Sequence, residues 1–153
     1  MGRKFEYVTR VTSTGYEMKN PEFDLPRRST KHSIAYDFFS PETFTVQPKE
    51  SYMLWSGVKA QFQDDEALLL NVRSSMGKKK IMLGNTQAWI ECDYYGNPDN
   101  EGEIGILLYN YGDTPWKVNK GDKIAQGMFI KYLITDNDNA EGTRNGGWGS
   151  TGK

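Results

Sequence analysis

The sequence predicts an all-β fold, an antiparallel sandwich or jelly roll, on two observations. Apolar residues come in short bursts rich in β-branched and aromatic side chains, and the turn signals between them are spaced for hairpins and not for crossover helices. The bursts run over Thr43 to Val46, Ala67 to Val72, Ile81 to Leu83, Ala88 to Ile90 and Ile104 to Tyr109, with Phe5 to Val11 as a further candidate. Between them lie Ser40-Pro41, Gln47-Pro48, Gly96-Asn97-Pro98-Asp99-Asn100, Tyr111-Gly112-Asp113-Thr114-Pro115 and Lys120-Gly121-Asp122. Gly, Pro, Asn and Asp at these places supply the angles and local hydrogen bonds that turns need. One helical turn is expected over Ser74 to Lys79, with a serine capping its start. From Thr135 onward nearly all apolar content disappears except Trp148. Residues 1–134 therefore read as one β domain and residues 135–153 as a flexible arm.

A chain of 153 residues buries one ordinary core, so an elaborate site has to be built from loops or shared between chains. Lys plus Arg is 19, Asp plus Glu is 20 and the net charge is −1. There is no global positive field to attract nucleic acid, and none is expected as a partner. The opening segment lacks a hydrophobic stretch and nowhere do about 18 apolar residues run together, which predicts a cytoplasmic protein without a membrane span. A single cysteine, Cys92, allows no internal disulfide. With one histidine, His32, a metal would have to use oxygen ligands.

Several short segments carry chemistry. Arg73-Ser74-Ser75-Met76-Gly77 combines a guanidinium fork, two hydroxyls and the free N–H groups of a turn, which suits phosphate. Glu91 and Asp93 are two residues apart, so a strand would put both carboxylates on one face. The glycines of Arg144-Asn145-Gly146-Gly147-Trp148-Gly149-Ser150-Thr151-Gly152 would let backbone N–H groups wrap an anion. Each segment alone has a plainer reading. Asp37 would sit in a loop entering a strand, Tyr94 would be an ordinary strand aromatic, Lys78-Lys79-Lys80 a solvated face, and the glycine-rich end a disordered terminus.

Taken together and in order, five segments resemble the five motifs of the trimeric dUTPase family, from about Leu25 to the end of the chain. They are Leu25 to Asp37, Arg73 to Gly77, Leu83 to Gly96, Gly121 to Gln126 and Arg144 to Gly152. The resemblance implies a distorted jelly-roll β-barrel. It also implies a homotrimer that cleaves dUTP to dUMP and pyrophosphate at three subunit boundaries, each site drawing on all three chains. Hairpin and arm at any one site would then come from different subunits. Mg²⁺ would be held by the triphosphate and water, with no protein metal ligands. By the same resemblance Glu91 falls where the family has its water-activating aspartate, and Asp37 matches its invariant acid. Arg73, Ser74, Ser75, Gly77, Gln126 and Arg144 would bind the phosphates, with Gly149 and Ser150 from the arm. Asn85 and the strand at Trp89 and Ile90 would read the uracil, Tyr94 would pack under the deoxyribose, Gly105 would close the pocket and Trp148 would cover the base.

The sequence departs from the family pattern at Glu91, at Trp148 in place of phenylalanine and at Ala35 in place of glycine. Asp93 remains the competing base. The extra residues 97–102 lengthen the hairpin as in phage and prophage versions, which would place the protein in a host cytoplasm. Two other activities stay open. One is a dCTP deaminase of the same fold, and the other a dUTP-sensing regulator in which the altered carboxylate impairs hydrolysis and an unknown protein partner reads occupancy.

Overall fold

The computed structural model describes residues 2–9 and 21–151, where the regular secondary structure is almost all β-strand. The order is β1 (Lys4–Tyr7), β2 (Tyr36–Phe39), β3 (Phe44–Val46), β4 (Ser51–Trp55), β5 (Val58–Gln61), β6 (Glu66–Asn71), a short helix α1 (Ser74–Lys78), β7 (Ile81–Leu83), β8 (Ala88–Glu91), β9 (Gly105–Asn110), β10 (Trp116–Val118) and β11 (Lys123–Lys131). They form a four-stranded sheet β2-β11-β6-β8, a three-stranded sheet β4-β9-β7 and two pairs, β1-β5 and β10-β3. Every strand pairing among the described residues is antiparallel. No sheet among the described residues closes on itself, so the fold is an all-β distorted jelly roll and not a closed barrel. No helix in it is long and apolar enough to cross a membrane.

The two larger sheets share the core. Leu68 and Leu70 of β6, Ile106 and Leu108 of β9, Leu54 of β4 and Ile124 of β11 are fully buried. On β9 burial alternates, with Leu107 and Tyr109 turned partly outward, as expected for a strand with one face on the core. Strand β6 is buried from Glu66 to Leu70, because β11 and β8 flank it on both edges and the core and outer loops cover both faces.

The expected strands stand, with ends displaced by a residue or so. The N-terminal strand is Lys4–Tyr7, and Arg10 and Val11 fall outside the described residues. Strands β4, β5 and β10 were not anticipated. The helical turn is where expected, but no serine caps it. Arg73 is the N-cap, extended at φ −76° and ψ 153°, and makes no capping side-chain hydrogen bond. The hydroxyls of Ser74 and Ser75 are thereby left exposed in the first turn. Asp93 does not extend the strand face of Glu91: β8 ends at Glu91, and Cys92–Tyr94 is a single 3-10 turn.

Candidate active site

One pocket of about 200 Å³ lies between the β7–β8 turn, β8, the start of β9 and the arm. It is smaller than the roughly 300–1,000 Å³ of sites that enclose drug-sized ligands, so it suits a nucleobase and not a whole nucleotide. Asn85 stands at the turn, Trp89 and Ile90 form one wall, and Gly105 forms the floor. A side chain on Gly105 would crowd its neighbours, since a Cβ would lie 3.1 Å from the Trp148 indole nitrogen and 3.0 Å from the Trp55 ring, and these would have to give way.

Glu91 is at the rim, with its side chain 60% exposed. Tyr94 is buried in the pocket wall, its hydroxyl donating to the Glu103 carbonyl at 2.5 Å. Burial pushes its phenol pKa up, so this hydroxyl keeps its proton at neutral pH. The backbone of the arm comes so close to the Tyr94 ring that a Cβ on Gly147 would sit 2.6 Å from it. Trp148 follows with φ 50°, left-handed for a bulky residue, and its indole lines the pocket.

Arg144 ties the arm down. Its Nε donates to Asp93 Oδ1 at 2.7 Å and its Nη2 lies 3.3 Å from Glu91 Oε2. The guanidinium is only 14% exposed, and two carboxylates compensate that loss of water. The hydrogen bond to Asp93 raises its pKa further, Glu91 adding to the effect against burial. Asp93 is thus an anchor for the arm. Gly149 and Ser150 lie exposed beyond Trp148.

Within this single chain the arm docks on its own hairpin through Arg144. Of the residues expected to hold phosphates, Arg144, Gly149 and Ser150 lie on this arm, while Arg73, Ser74, Ser75, Gly77 and Gln126 belong to a second, separate cluster around Asp37. Asp37 of β2 is buried, accepts a 2.6 Å hydrogen bond from the Ser29 hydroxyl, and pairs with Arg73 Nε at 3.1 Å and Lys123 Nζ at 3.2 Å. Burial alone would raise its pKa, but the Ser29 and Lys123 hydrogen bonds and the charges of Lys123 and Arg73 outweigh it and hold the carboxyl below its ordinary value. Gln126 is directly opposite Asp37 on β11. Ser74, Ser75 and Gly77 are on the exposed side of α1 immediately after Arg73.

Glu91 does not meet this cluster within one chain. It pairs with Ala67 on β6, and Arg73 follows the other end of that strand six residues later. At roughly 3.3 Å per residue the two levels are about 20 Å apart. No group of three or more His, Cys, Asp or Glu side chains among the described residues is placed to hold a metal ion.

The sequence model of the dUTPase family matches residues 21–152. The deoxyuridine 5'-triphosphate nucleotidohydrolase of Lactococcus lactis subsp. lactis (strain IL1403) is 39% identical over 153 residues, covering 98% of this chain and 97% of that protein. The chain belongs to the dUTPase family. The enzyme of the same name from Histophilus somni (strain 2336) is 33% identical over 141 residues, covering 86% of this chain and 89% of its own. Among solved structures, the dUTPase from Streptococcus mutans superposes with a TM-score of 0.75 at 33% identity, covering 90% of this chain and 100% of that one. The dUTPase from phage phi11 of S. aureus, whose structure visualises a species-specific insert, shares the fold at a TM-score of 0.69 and 18% identity, covering 93% and 97% of the two chains.

Two members of the phosphate-side cluster, Ser29 and Lys123, were not singled out as site residues of this dUTPase from its sequence. A bulge between Lys123 and Ala125 on β11 pairs Lys123 with Phe39 and Gln126 with Asp37, so residues three apart face the same way. A regular strand would have turned them to opposite faces. Asn100 was also missed, because in sequence it looks like a turn residue.

Proposed function

We propose that this dUTPase family member is a homotrimer that hydrolyses dUTP to dUMP and pyrophosphate, taking the nucleotide as its Mg²⁺ complex. The observation that carries this reading is the base-sized pocket with an exposed carboxylate, Glu91, at its rim and an arginine-bearing arm across its mouth. Uracil enters between Asn85 and the Trp89–Ile90 strand, the deoxyribose rests against Tyr94, and Trp148 covers the base. The phosphates then extend toward Arg73, Ser74, Ser75, Gly77 and Gln126 of a neighbouring copy, since these residues lie too far along β6 in the same chain. Asp37, held ionised, is a positioning residue that orients Arg73 through its Nε and leaves the two Nη groups for the substrate.

In the reaction Glu91 takes a proton from water as the oxygen attacks the α-phosphorus, and the bond from that phosphorus to the bridging oxygen of the β-phosphate breaks. Pyrophosphate leaves. Mg²⁺ supplies charge neutralisation on the triphosphate, and its oxygen and water ligands need no protein cage. Arg144 exchanges its carboxylate partners for phosphate oxygens when substrate arrives, which frees Glu91 for the water. The test is pyrophosphate release from dUTP, dCTP, dTTP and UTP. Release from dUTP alone is expected. Ammonia from dCTP would indicate a deaminase, and dUTP binding without turnover would indicate a sensor.

A further inference from the structure

The lengthened tip of the β8–β9 connection has side chains aimed inward. Asn97 and Asn100 are 5% and 8% exposed, although Gly96, Pro98 and Asp99 around them are exposed. Asn97 closes the tip. Its Nδ2 donates to the Tyr94 carbonyl at 2.7 Å and to Asn100 Oδ1 at 2.8 Å, and its Oδ1 accepts from the Asp99 and Asn100 amides at 3.0 and 3.2 Å. Asn100 Oδ1 also accepts from the Gly102 amide at 3.1 Å. These bonds fold the turn without using the Asn100 amide nitrogen. That nitrogen leaves the turn and donates to the Tyr94 hydroxyl at 2.8 Å.

Tyr94 is therefore gripped at its oxygen from both sides, by Asn100 as donor and by the Glu103 carbonyl as acceptor. Its ring is at once a wall of the pocket and the surface against which Gly147 packs. We propose that Asn100 is a positioning residue for sugar selection: its bond to the Tyr94 hydroxyl holds the ring at the height that admits deoxyribose, excludes a 2′-hydroxyl and seats the arm. The proposal rests on dUTP as the substrate.

Asn100→Asp tests this role with the least change to the turn, because it keeps the Oδ1 acceptor. It replaces the amide donor by a carboxylate oxygen that competes with the Glu103 carbonyl for the one Tyr94 proton, so the hydroxyl can no longer be held from both sides. In Asn100→Asp the ratio of kcat/KM for dUTP to that for UTP should fall about fivefold, the worth of one hydrogen bond. Tyr94→Phe, which removes this bond together with the one to the Glu103 carbonyl, should give a fall at least as large, and the double variant should fall no further than Tyr94→Phe alone. An unchanged ratio in Asn100→Asp, or losses that add in the double variant, overturns the proposal. Should Asn100→Asp fail to fold, an unchanged ratio in Tyr94→Phe overturns it equally. Wild-type protein that releases no pyrophosphate from dUTP overturns the substrate reading and this proposal with it. Active wild type with unchanged ratios in the variants overturns this proposal alone.

Discussion

Glu91 has one more methylene than the aspartate that the family resemblance implies, and a shift of about 1 Å at a reacting centre can cost on the order of 10²-fold in rate. Its backbone sits at the last position of β8, and its side chain reaches outward to Arg144 and not into the core. Glu91→Gln should therefore leave the fold intact and lower turnover by roughly 10²-fold or more. Asp93→Asn should instead loosen Arg144 and raise KM with little change in kcat. Steady-state kinetics with the two effects exchanged would move the base to Asp93. A separate effect belongs to Glu101, whose carboxylate accepts from Thr9 and Lys59 and whose pKa is lowered to about 2 although burial opposes the shift. A depressed carboxyl stabilises the fold fully above its unfolded value near pH 4.5, and that contribution is lost as pH falls through about 2. Glu101→Gln should cost up to roughly 3 kcal/mol at neutral pH, and its denaturation curves should converge on wild type in acid. Glu91, Tyr94 and Arg144 were legible as candidates because each stands in a short motif. Lys123 was not, because its orientation depends on a bulge, and Asn100 was not, because its target is a side chain that a local reading of the turn does not identify.

The strands read from sequence were those carrying continuous apolar bursts, β6, β7, β8 and β9 among them. Strand β5 alternates buried Val58 and Ala60 with half-buried Lys59 and Gln61, and its partner is β1, more than fifty residues away, so no hairpin signal marks it. Strand β10 is three residues long and pairs with the equally short β3. The arm reads from sequence as residues 135–153, a unit without apolar drive, and residues Thr135 to Thr143 are exposed. Its docking against Tyr94 was not foreseeable from composition, since it depends on a glycine where the backbone meets the ring. Gly147→Ala should unseat the arm and leave the β domain intact. KM for dUTP should rise at least severalfold, Trp148 fluorescence should lose its response to nucleotide, and the melting temperature should hold within a few degrees. Unaltered kinetics in this variant would show that the contact is incidental.

At the scale of the whole molecule, the proposed base-binding and phosphate-binding halves of one chain lie too far apart along β6 to serve one substrate. Chains with Arg73→Ala and chains with Glu91→Gln, refolded together in equal amounts, should recover about a quarter of wild-type activity, because one site in four combines the two intact halves. Glu91→Gln chains mixed with chains lacking residues from Thr143 onward should recover none if the arm serves the hairpin of its own chain, on which it docks here. Recovery in that second mixture would mean that arms cross between subunits in the working enzyme.

The place where β11 ends gives the arm a further property. Lys131 pairs with Glu66, next to the Ala67 that faces Glu91 on the other side of β6, so the arm departs only two strand spacings, roughly 10 Å, from the carboxylates it returns to. Arg144 comes thirteen residues later, a tether whose average reach is about 20 Å. A ligand tethered over such a span acts as if present at about millimolar effective concentration. The arm thus needs only millimolar intrinsic affinity to spend half its time docked.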